Sequence, residues 1–595
     1  MDVDLEKRIN EAIEAMQQIL PEAVDIYQLD PMAKIMLVAL VSETSKIQDY
    51  VDGTMQRIVE RFCTDFIPRK EVNAMPAVCL VRPLLDQGND SLYAIESGAS
   101  FVYKSPIKDV QLKYIPIFHT TLLPHSGMYL LTQHLMRYDG GTVGVTLDKP
   151  NRLWVGICSP LEVNGLRGLS LLLSGTNGIV PEHMYVGADC TEIDFAPMSE
   201  MEKIEMADPF DAQQVSGNFF SFVENWKESL LNMPDAALLY ITDTTKDRDM
   251  YKPRAYPRVF QQWLENETLD LFRQNTIWLR LDFPDGYVVP DNCAVTLGVV
   301  PVTNVEVGSV MLTQAQPIAK LQADDDSYFL SILETSTASN RQGFSMNQDD
   351  ILVRDFEANC YNNGDLYRDV RNLYNRFIDD YYAFIDYNGI KDGEVLKKLR
   401  ETINKLGKSV GTQNQQFKFD SGTYVMKNMD TSAPTANTSV RFITTKGMVG
   451  NQPRAGEMME SRSMPGIQQK VPVAVGGMGG TDKASADERY ELLRYYSLTN
   501  DRLYTRMDVD AFLRKEIMAE FGREEFHRIF IKVSVQGTGG EQDLQRGLYV
   551  DISFKDRRNY DHALRISFAT LMRQRILNKS CISLPVIVTL KNLED

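Results

Sequence analysis

Val440-Arg-Phe-Ile-Thr-Thr-Lys-Gly447-Met-Val-Gly450-Asn451-Gln-Pro-Arg-Ala-Gly456 is the run on which the reading of this chain turns. Val440, Phe442 and Thr444 alternate as in a half-buried strand, and Gly447 and Gly450-Asn451 supply the positive φ angles of a tight reversal. The spacing therefore predicts a strand and a β-turn rather than a phosphate cradle. A second run follows, Gly479-Gly480-Thr-Asp482, and continues to Arg502-Leu-Tyr-Thr505-Arg-Met-Asp508-Val-Asp-Ala-Phe512. Thr505 has the character of an N-cap for a helix from Arg506 to Phe521, where Val509, Phe512, Leu513, Ile517 and Phe521 recur at helical spacing.

In order and spacing these two runs resemble the baseplate J-like family of phage tails, where R-Y-x-T-G-x-G-x-x-G-N-x-x-x-G precedes G-G-x-D and then R-x-x-T-x-x-D-[YF]. The front half adds a second resemblance. Arg57 to Pro83, Tyr256-Pro257, Trp278-Leu-Arg-Leu-Asp-Phe283, Val300-Pro301-Val-Thr-Asn304 and Gln316-Pro317-Ile318 are similar to the TssF family of type VI secretion baseplate subunits. The two families are regarded as related, so both resemblances imply one structural role in one kind of machine.

A chain of 595 residues is long enough for several cores, because single cores stop growing at about 250 to 300 residues. Apolar content of 43% with 24% charged residues is that of an ordinary globular protein. The net charge of -18 is the wrong sign for sequence-independent nucleic-acid binding. The N-terminus shows no basic segment leading into an apolar one, and no apolar run reaches the ~18 residues of a membrane span, so a cytosolic protein is expected. Seven scattered cysteines, never spaced C-x-x-C, point to reduced thiols rather than disulfides or a zinc clip.

The expected fold class is α+β and multidomain. Residues 1–70 read as long helices: Leu5 to Ile19 trace one stripe, and Asp30-Pro31 opens a second that carries Ile35, Ile47 and Ile58. Residues 75–180 read as a β-rich domain and 181–345 as a mixed, β-rich one. Residues 364–408 form a helical hairpin, with Leu373 and Phe377 on its apolar stripe and Asn388-Gly389 at its turn. Residues 409–488 are strands and long loops, with Gly476 to Gly480 as a flexible loop. Residues 489–595 close the chain as a small α+β domain with strands Arg528 to Val535, Leu548 to Phe554 and Leu584 to Leu590, and a helix from Tyr560 to Leu577.

Chemistry is sparse in this sequence. Gly407-Lys408-Ser409 ends a helix and lacks the upstream glycine of a P-loop. His119, His125 and His134 match no common zinc spacing, and Asp324-Asp-Asp326 lacks the Gly and closing Glu of a calcium loop. No G-x-S-x-G elbow occurs. No catalytic residue, cofactor or metal ligand is assigned, and the protein is not expected to be an enzyme.

The resemblance implies a wedge component that links hub, sheath and neighbouring wedges, in the bacterial cytoplasm at the inner face of the inner membrane. It implies as partners a TssG-like subunit, a second copy of the chain in a helical core bundle, TssE, TssK and the VgrG spike. Ile35, Ile47, Ile58, Leu373 and Phe377 are the interface candidates. A phage tail or extracellular injection baseplate is the alternative within the same class. An enzyme with β-rich accessory domains is the third reading, and it predicts a convergent polar pocket with perturbed titrating groups.

Overall fold

The computed structural model describes residues 66–337, 351–356, 422–427, 437–538 and 545–593, with positions 62, 398, 401, 402 and 405. Within these spans it leaves out 87–90, 96–97, 106–110, 162, 188, 208–209, 211–217, 232, 234, 248, 274, 323–325, 463, 566–567 and 581–584. The N-terminal helices before position 62 and nearly all of the hairpin 364–408 lie outside the described residues. The chain divides into two compact units: residues 69–354 with 423–483, and residues 1–68 with 355–422 and 484–595.

The first unit is organised by a closed six-stranded barrel. Around it run Val78–Val81, Val300–Thr303, Gln111–Pro116, Ser100–Lys104, Met458–Arg462 and Lys470–Met478, which pairs back to Val78–Val81. Each neighbouring pair is antiparallel. An even number of strands allows this closure, which removes every exposed edge. Cys79, Val81, Phe101, Leu112, Tyr114, Val300, Val302, Met459, Val471 and Val473 fill one cluster. Val78, Leu80 and Ile115, one residue out of phase, enter a different one. The uninterrupted apolar run Val78–Val81 is explained by burial on both faces, since period two sends alternate side chains inward and outward.

Between the barrel strands the chain builds a β-sandwich. A seven-stranded sheet containing Arg152–Cys158 and Thr276–Asp282 faces a four-stranded sheet containing Ser170–Ser174 and Ala236–Ile241. Leu171, Leu173, Leu239 and Ile241 meet Val155, Ile157, Leu279 and Leu281 in the space between them. Leu172, Leu238 and Tyr240 point the other way, toward the helix Asn218–Leu231 and its fully buried Trp226. On the far side of the seven-stranded sheet, Trp278 packs edge-on to Phe260 and Phe272 at 5.1 and 5.3 Å. Its indole donates to the Ala255 carbonyl at 3.1 Å.

Thr438–Thr445 is the middle strand of a three-stranded sheet between Glu306–Leu312 and Tyr328–Thr337. Its first half alternates as the sequence predicts, with Val440 and Phe442 buried and Arg441 exposed. The second half, Phe442 to Thr445, is buried throughout because Ile443 enters the core shared with helix Asn218–Leu231. The ring of Phe442 lies over Gly308, its partner in register, where a Cβ would come within 2.6 Å of the ring.

In the second unit, the longest described stretch begins at Ala484. Ser485 and Glu488 form a capping box for helix Ala486–Thr499, which ends at Asn500 in the left-handed conformation (φ 48°). Thr505 caps helix Arg506–Phe526, and Asp508 reaches back to the backbone N–H groups of Thr505 and Tyr504 at 2.8 and 3.0 Å. Gly522 (φ 74°) interrupts this helix one residue beyond the predicted end at Phe521. Strands Ile529–Thr538 and Gln545–Phe554 pair antiparallel, and Val586–Asn592 joins Gln545–Phe554 in parallel. The crossover is made of two helices, Arg557–Arg565 and Phe568–Lys579, which corrects the single helix expected from Tyr560 to Leu577. Phe521 lies 5.4 Å from Phe554 and 5.5 Å from Phe568, so the helices cover one sheet face. On the opposite face Phe530 and Ile587 are exposed.

Removing the cap gives a first test. Thr505→Ala should destabilise this unit by about 1 kcal/mol, the usual cost of a lost N-cap, read as a shift of its urea midpoint. The carboxyl of Asp508 is pushed up by burial, but the Thr505 and Tyr504 N–H groups outweigh that and hold it below the usual value. A depressed carboxylate contributes stability above its unfolded value, about 3.9, and loses it as pH falls through the folded one. The stability gap between the native protein and Asp508→Asn should therefore be full at neutral pH and close below pH about 4.

Candidate functional site

The first run and the opening of the second, Gly479 to Asp482, separated by more than twenty residues, meet in the first unit, while the continuation from Arg502 to Phe512 belongs to the second. Gly447–Asn451, expected as a β-turn, is a single 3-10 helical turn that follows strand Thr438–Thr445, and Gly479 to Asp482 follows barrel strand Lys470–Met478. Met448 N–H donates to Asp482 Oδ1 at 2.7 Å. Gly480 N–H donates to Asn451 Oδ1 at 2.9 Å, and Asn451 Nδ2 returns a bond to the Gly480 carbonyl at 2.7 Å. Such a reciprocal side-chain amide pair fixes both position and orientation, because the Asn451 donor and acceptor each have one geometry that satisfies them.

Glycine is required here for two different reasons. Gly447 has φ 54°, and a Cβ there would collide with Asp482. At Gly477 a Cβ would lie 2.7 Å from the Gly450 carbonyl oxygen and 2.8 Å from Asn451 Cα, and at Gly480 it would lie 2.6 Å from the Gly447 carbonyl oxygen. Those neighbours are backbone and cannot swing aside. Positive φ, predicted at Gly447 and at Gly450-Asn451, is found at Gly447 alone of the three. Gly450 is instead a close-approach residue, its α-carbon against Ala77 and Asn304. The flexible loop expected at Gly476 to Gly480 is corrected likewise: Gly476 to Met478 belong to the barrel strand, and the lack of side chains at Gly476 and Gly477 lets the backbone of Gly450 to Arg454 lie against them.

Asn304, 2% exposed, ties the barrel to this junction. Its N–H donates to the Ala77 carbonyl at 2.8 Å and its Nδ2 to the Lys113 carbonyl at 3.0 Å. Its own carbonyl accepts from Thr445 Oγ1 at 2.8 Å, and its Oδ1 from Lys446 N–H at 3.1 Å. Asn304 had appeared in the sequence only as the end of a TssF-like run. No periodicity signals it, because its partners come from three distant segments. Nearby, Tyr114 donates to the Gly450 carbonyl at 2.7 Å, and burial pushes its phenol well up. Tyr103 donates to Glu457 at 2.8 Å, and burial together with that carboxylate pushes it up to about 12. These groups stay neutral and serve as fixed donors that splice the turn to the barrel.

Of the sequence-level chemical candidates, His119, His125 and His134 are described and are not brought together with other ligands. Among the described residues no three His, Cys, Asp or Glu side chains gather as a metal site. His119 lines a cleft of about 240 Å³ with Arg167, Lys203, Glu205 and Tyr240. There Arg167 pairs with Glu205 at 3.0 Å, and burial pushes up the Tyr240 phenol, which shares a hydrogen bond with Thr120. Ile35, Ile47, Ile58, Leu373 and Phe377, the interface candidates, lie outside the described residues, as do Gly407-Lys408-Ser409 and Asp324-Asp325. Among the described residues no helix is long and apolar enough to cross a membrane.

No family model and no curated protein matches this chain. Among solved structures it is similar to a chain of the TssK-TssF-TssG baseplate subcomplex of the type VI secretion system, at 11% identity and a TM-score of 0.39. That overlap covers 94% of this chain and 96% of the other. It is also similar to a chain of the type VI secretion baseplate complex, at 12% identity and a TM-score of 0.33, covering 100% and 96%. Both scores are below one half, the range in which overlap does not establish a common fold.

Proposed function

We propose that this protein is a structural subunit of a type VI secretion baseplate, with no catalytic role. The observation that supports this reading is the splice itself. The first of the runs that resemble the baseplate families interlocks with the opening of the second, Gly479 to Asp482, through Asn451, Gly480 and Asp482. Its polar groups, backbone amides, the Asn451 carboxamide and the Asp482 carboxylate, bond to one another, which suits a junction that holds a barrel together under load.

The regional roles are part of the same proposal. Residues 1–70 and 364–408, with Ile35, Ile47, Ile58, Leu373 and Phe377, form a bundle with a TssG-like subunit and a second copy of the chain. Residues 489–595 contact the neighbouring wedge, and TssK, TssE and the VgrG spike bind around the assembly at the inner face of the membrane. Replacing Ile47 by Asp places a charge in the proposed seam. It should abolish co-purification of the TssG-like subunit while leaving the thermal unfolding of the isolated chain unchanged. Retained co-purification would place the bundle elsewhere.

Gene deletion tests the function as a whole. Cells lacking the protein should retain sheath and tube proteins but release no spike protein into the medium, and the gene in trans should restore release. Normal release from the deletion strain would overturn the reading, and loss of infectious particles instead would assign the protein to a phage tail.

A further inference from the structure

One stretch of the barrel wall carries a charge opposite to that of the chain. Strands Gln111–Pro116, Ser100–Lys104, Met458–Arg462 and Lys470–Met478 lie side by side in that order. Phe101, Tyr103, Leu112, Met459 and Val471 point into the barrel, so by the period of two the positions between and beside them point outward. The outward positions hold four cations, Lys104, Lys113, Arg462 and Lys470, and a single acid, Glu460.

Register sets Lys113, Val102, Glu460 and Lys470 in one row across the four strands. Lys104 and Arg462 flank the middle of that row on opposite sides, since they pair one step along the strands in opposite directions. Lys104 bonds Glu460 at 2.7 Å, and Arg462 donates to Gln111 at 3.4 Å. The Lys104 bond, with the charges of Arg462 and Lys470, holds the Glu460 carboxyl below the usual range. Among the described residues Lys113, Arg462 and Lys470 form no ion pair, so the wall keeps a positive excess in a chain of net charge -18. A crevice beside Lys113 adds Lys446 and Glu306, one charge of each sign.

We infer that this wall docks an extended segment of another protein that carries acids at alternate positions. The barrel is closed, so a bound chain cannot add to a strand edge and must engage side chains. Lys113 and Lys470 stand three strand spacings apart, roughly 14 Å, which is close to the roughly 13 Å between positions i and i+4 of an extended chain. An acid at i+2 then falls between Lys104 and Arg462. No aromatic side chain stands at the outward positions for a base to stack on, and Met458 is the one large apolar residue exposed there, too little to enter a lipid surface. The inference goes beyond the baseplate reading and does not depend on it.

Fluorescence anisotropy of a short labelled peptide of alternating Glu and Thr, added to the full chain, tests this. The native protein should bind it at about 0.05 M salt and release it at about 0.5 M, where screening is strong. Lys113→Ala, Arg462→Ala and Lys470→Ala combined should weaken binding about tenfold or more. The pair Arg462→Ala and Lys470→Ala, both at exposed positions, should weaken it about threefold, and unchanged thermal unfolding checks the fold of each variant. Lys252→Ala, at an exposed lysine outside the barrel strands, should bind as the native chain does. No binding at low salt, native affinity in the combined variant, or equal binding of a peptide of alternating Lys and Thr would each overturn the inference. Tighter binding of an oligo-dT strand or of phosphatidylglycerol vesicles, lost in the same variant, would assign the wall to nucleic acid or to a membrane and overturn it too. None of these results touches spike release by the deletion strain, which tests the baseplate reading separately.

Discussion

Gly477→Ala and Gly480→Ala are each expected to destabilise the barrel by roughly 3 kcal/mol, the upper range for forcing extra atoms into a packed site. The reason lies in what the new methyl group meets. At Gly477 the nearest atoms are main-chain atoms of Gly450 and Asn451 at 2.7 to 2.9 Å, and at Gly480 they are the Gly447 carbonyl oxygen at 2.6 Å with the Ala77 and Asn451 side chains at 2.8 Å, so relief requires moving Gly447–Asn451 away from the end of strand Lys470–Met478. Moving it breaks the Asn451–Gly480 amide pair and the Met448–Asp482 bond together. Hydrogen exchange should report the loss as faster exchange in 78–81 and 470–478, while the C-terminal sheet keeps its protection. Gly144→Ala is the control: a Cβ there meets nothing within 4 Å, and stability should be unchanged. Equal exchange in all three variants would show that the glycines are not close-packing residues.

The second large effect is expected at Trp226. It is fully buried, edge-on to Phe210 at 4.9 Å and to Phe222 at 5.1 Å. Its cluster combines Val78, Leu80 and Ile115 of the barrel wall, Leu172, Leu238 and Tyr240 of the sandwich, and Ile443 beside the splice. Trp226→Ala removes the side chain that all three share and should cost about 4 kcal/mol, since the cavity cannot close without moving a sheet. Trp226→Phe should recover about half. Limited proteolysis should then cut the alanine variant at the ends of Asn218–Leu231 well before the native protein is cut.

What the sequence made legible was local. The alternation of Val440, Phe442 and Thr444 is a strand, and Thr505 caps its helix. Period-two and helical spacing carry that information within a few residues. Barrel closure was not legible, because Val78–Val81 finds one neighbour at Val300–Thr303 and the other at Lys470–Met478, and register across such distances leaves no mark on either segment. The glycines of 476 to 480 were misread for a related reason. Glycine signals chain freedom when read alone, yet here it marks the place where another backbone approaches. Asn304 went unassigned because its role is the sum of bonds to Ala77, Lys113, Thr445 and Lys446, none of them near it in sequence except through the fold.

The central claim, a baseplate scaffold, is tested most directly by purifying the tagged full-length chain from its own cells and weighing the intact complex. The account predicts a TssG-like subunit bound to two copies of this chain, and loss of that subunit when Ile47→Asp is introduced. A chain recovered alone from cells whose sheath and spike proteins assemble normally would contradict it.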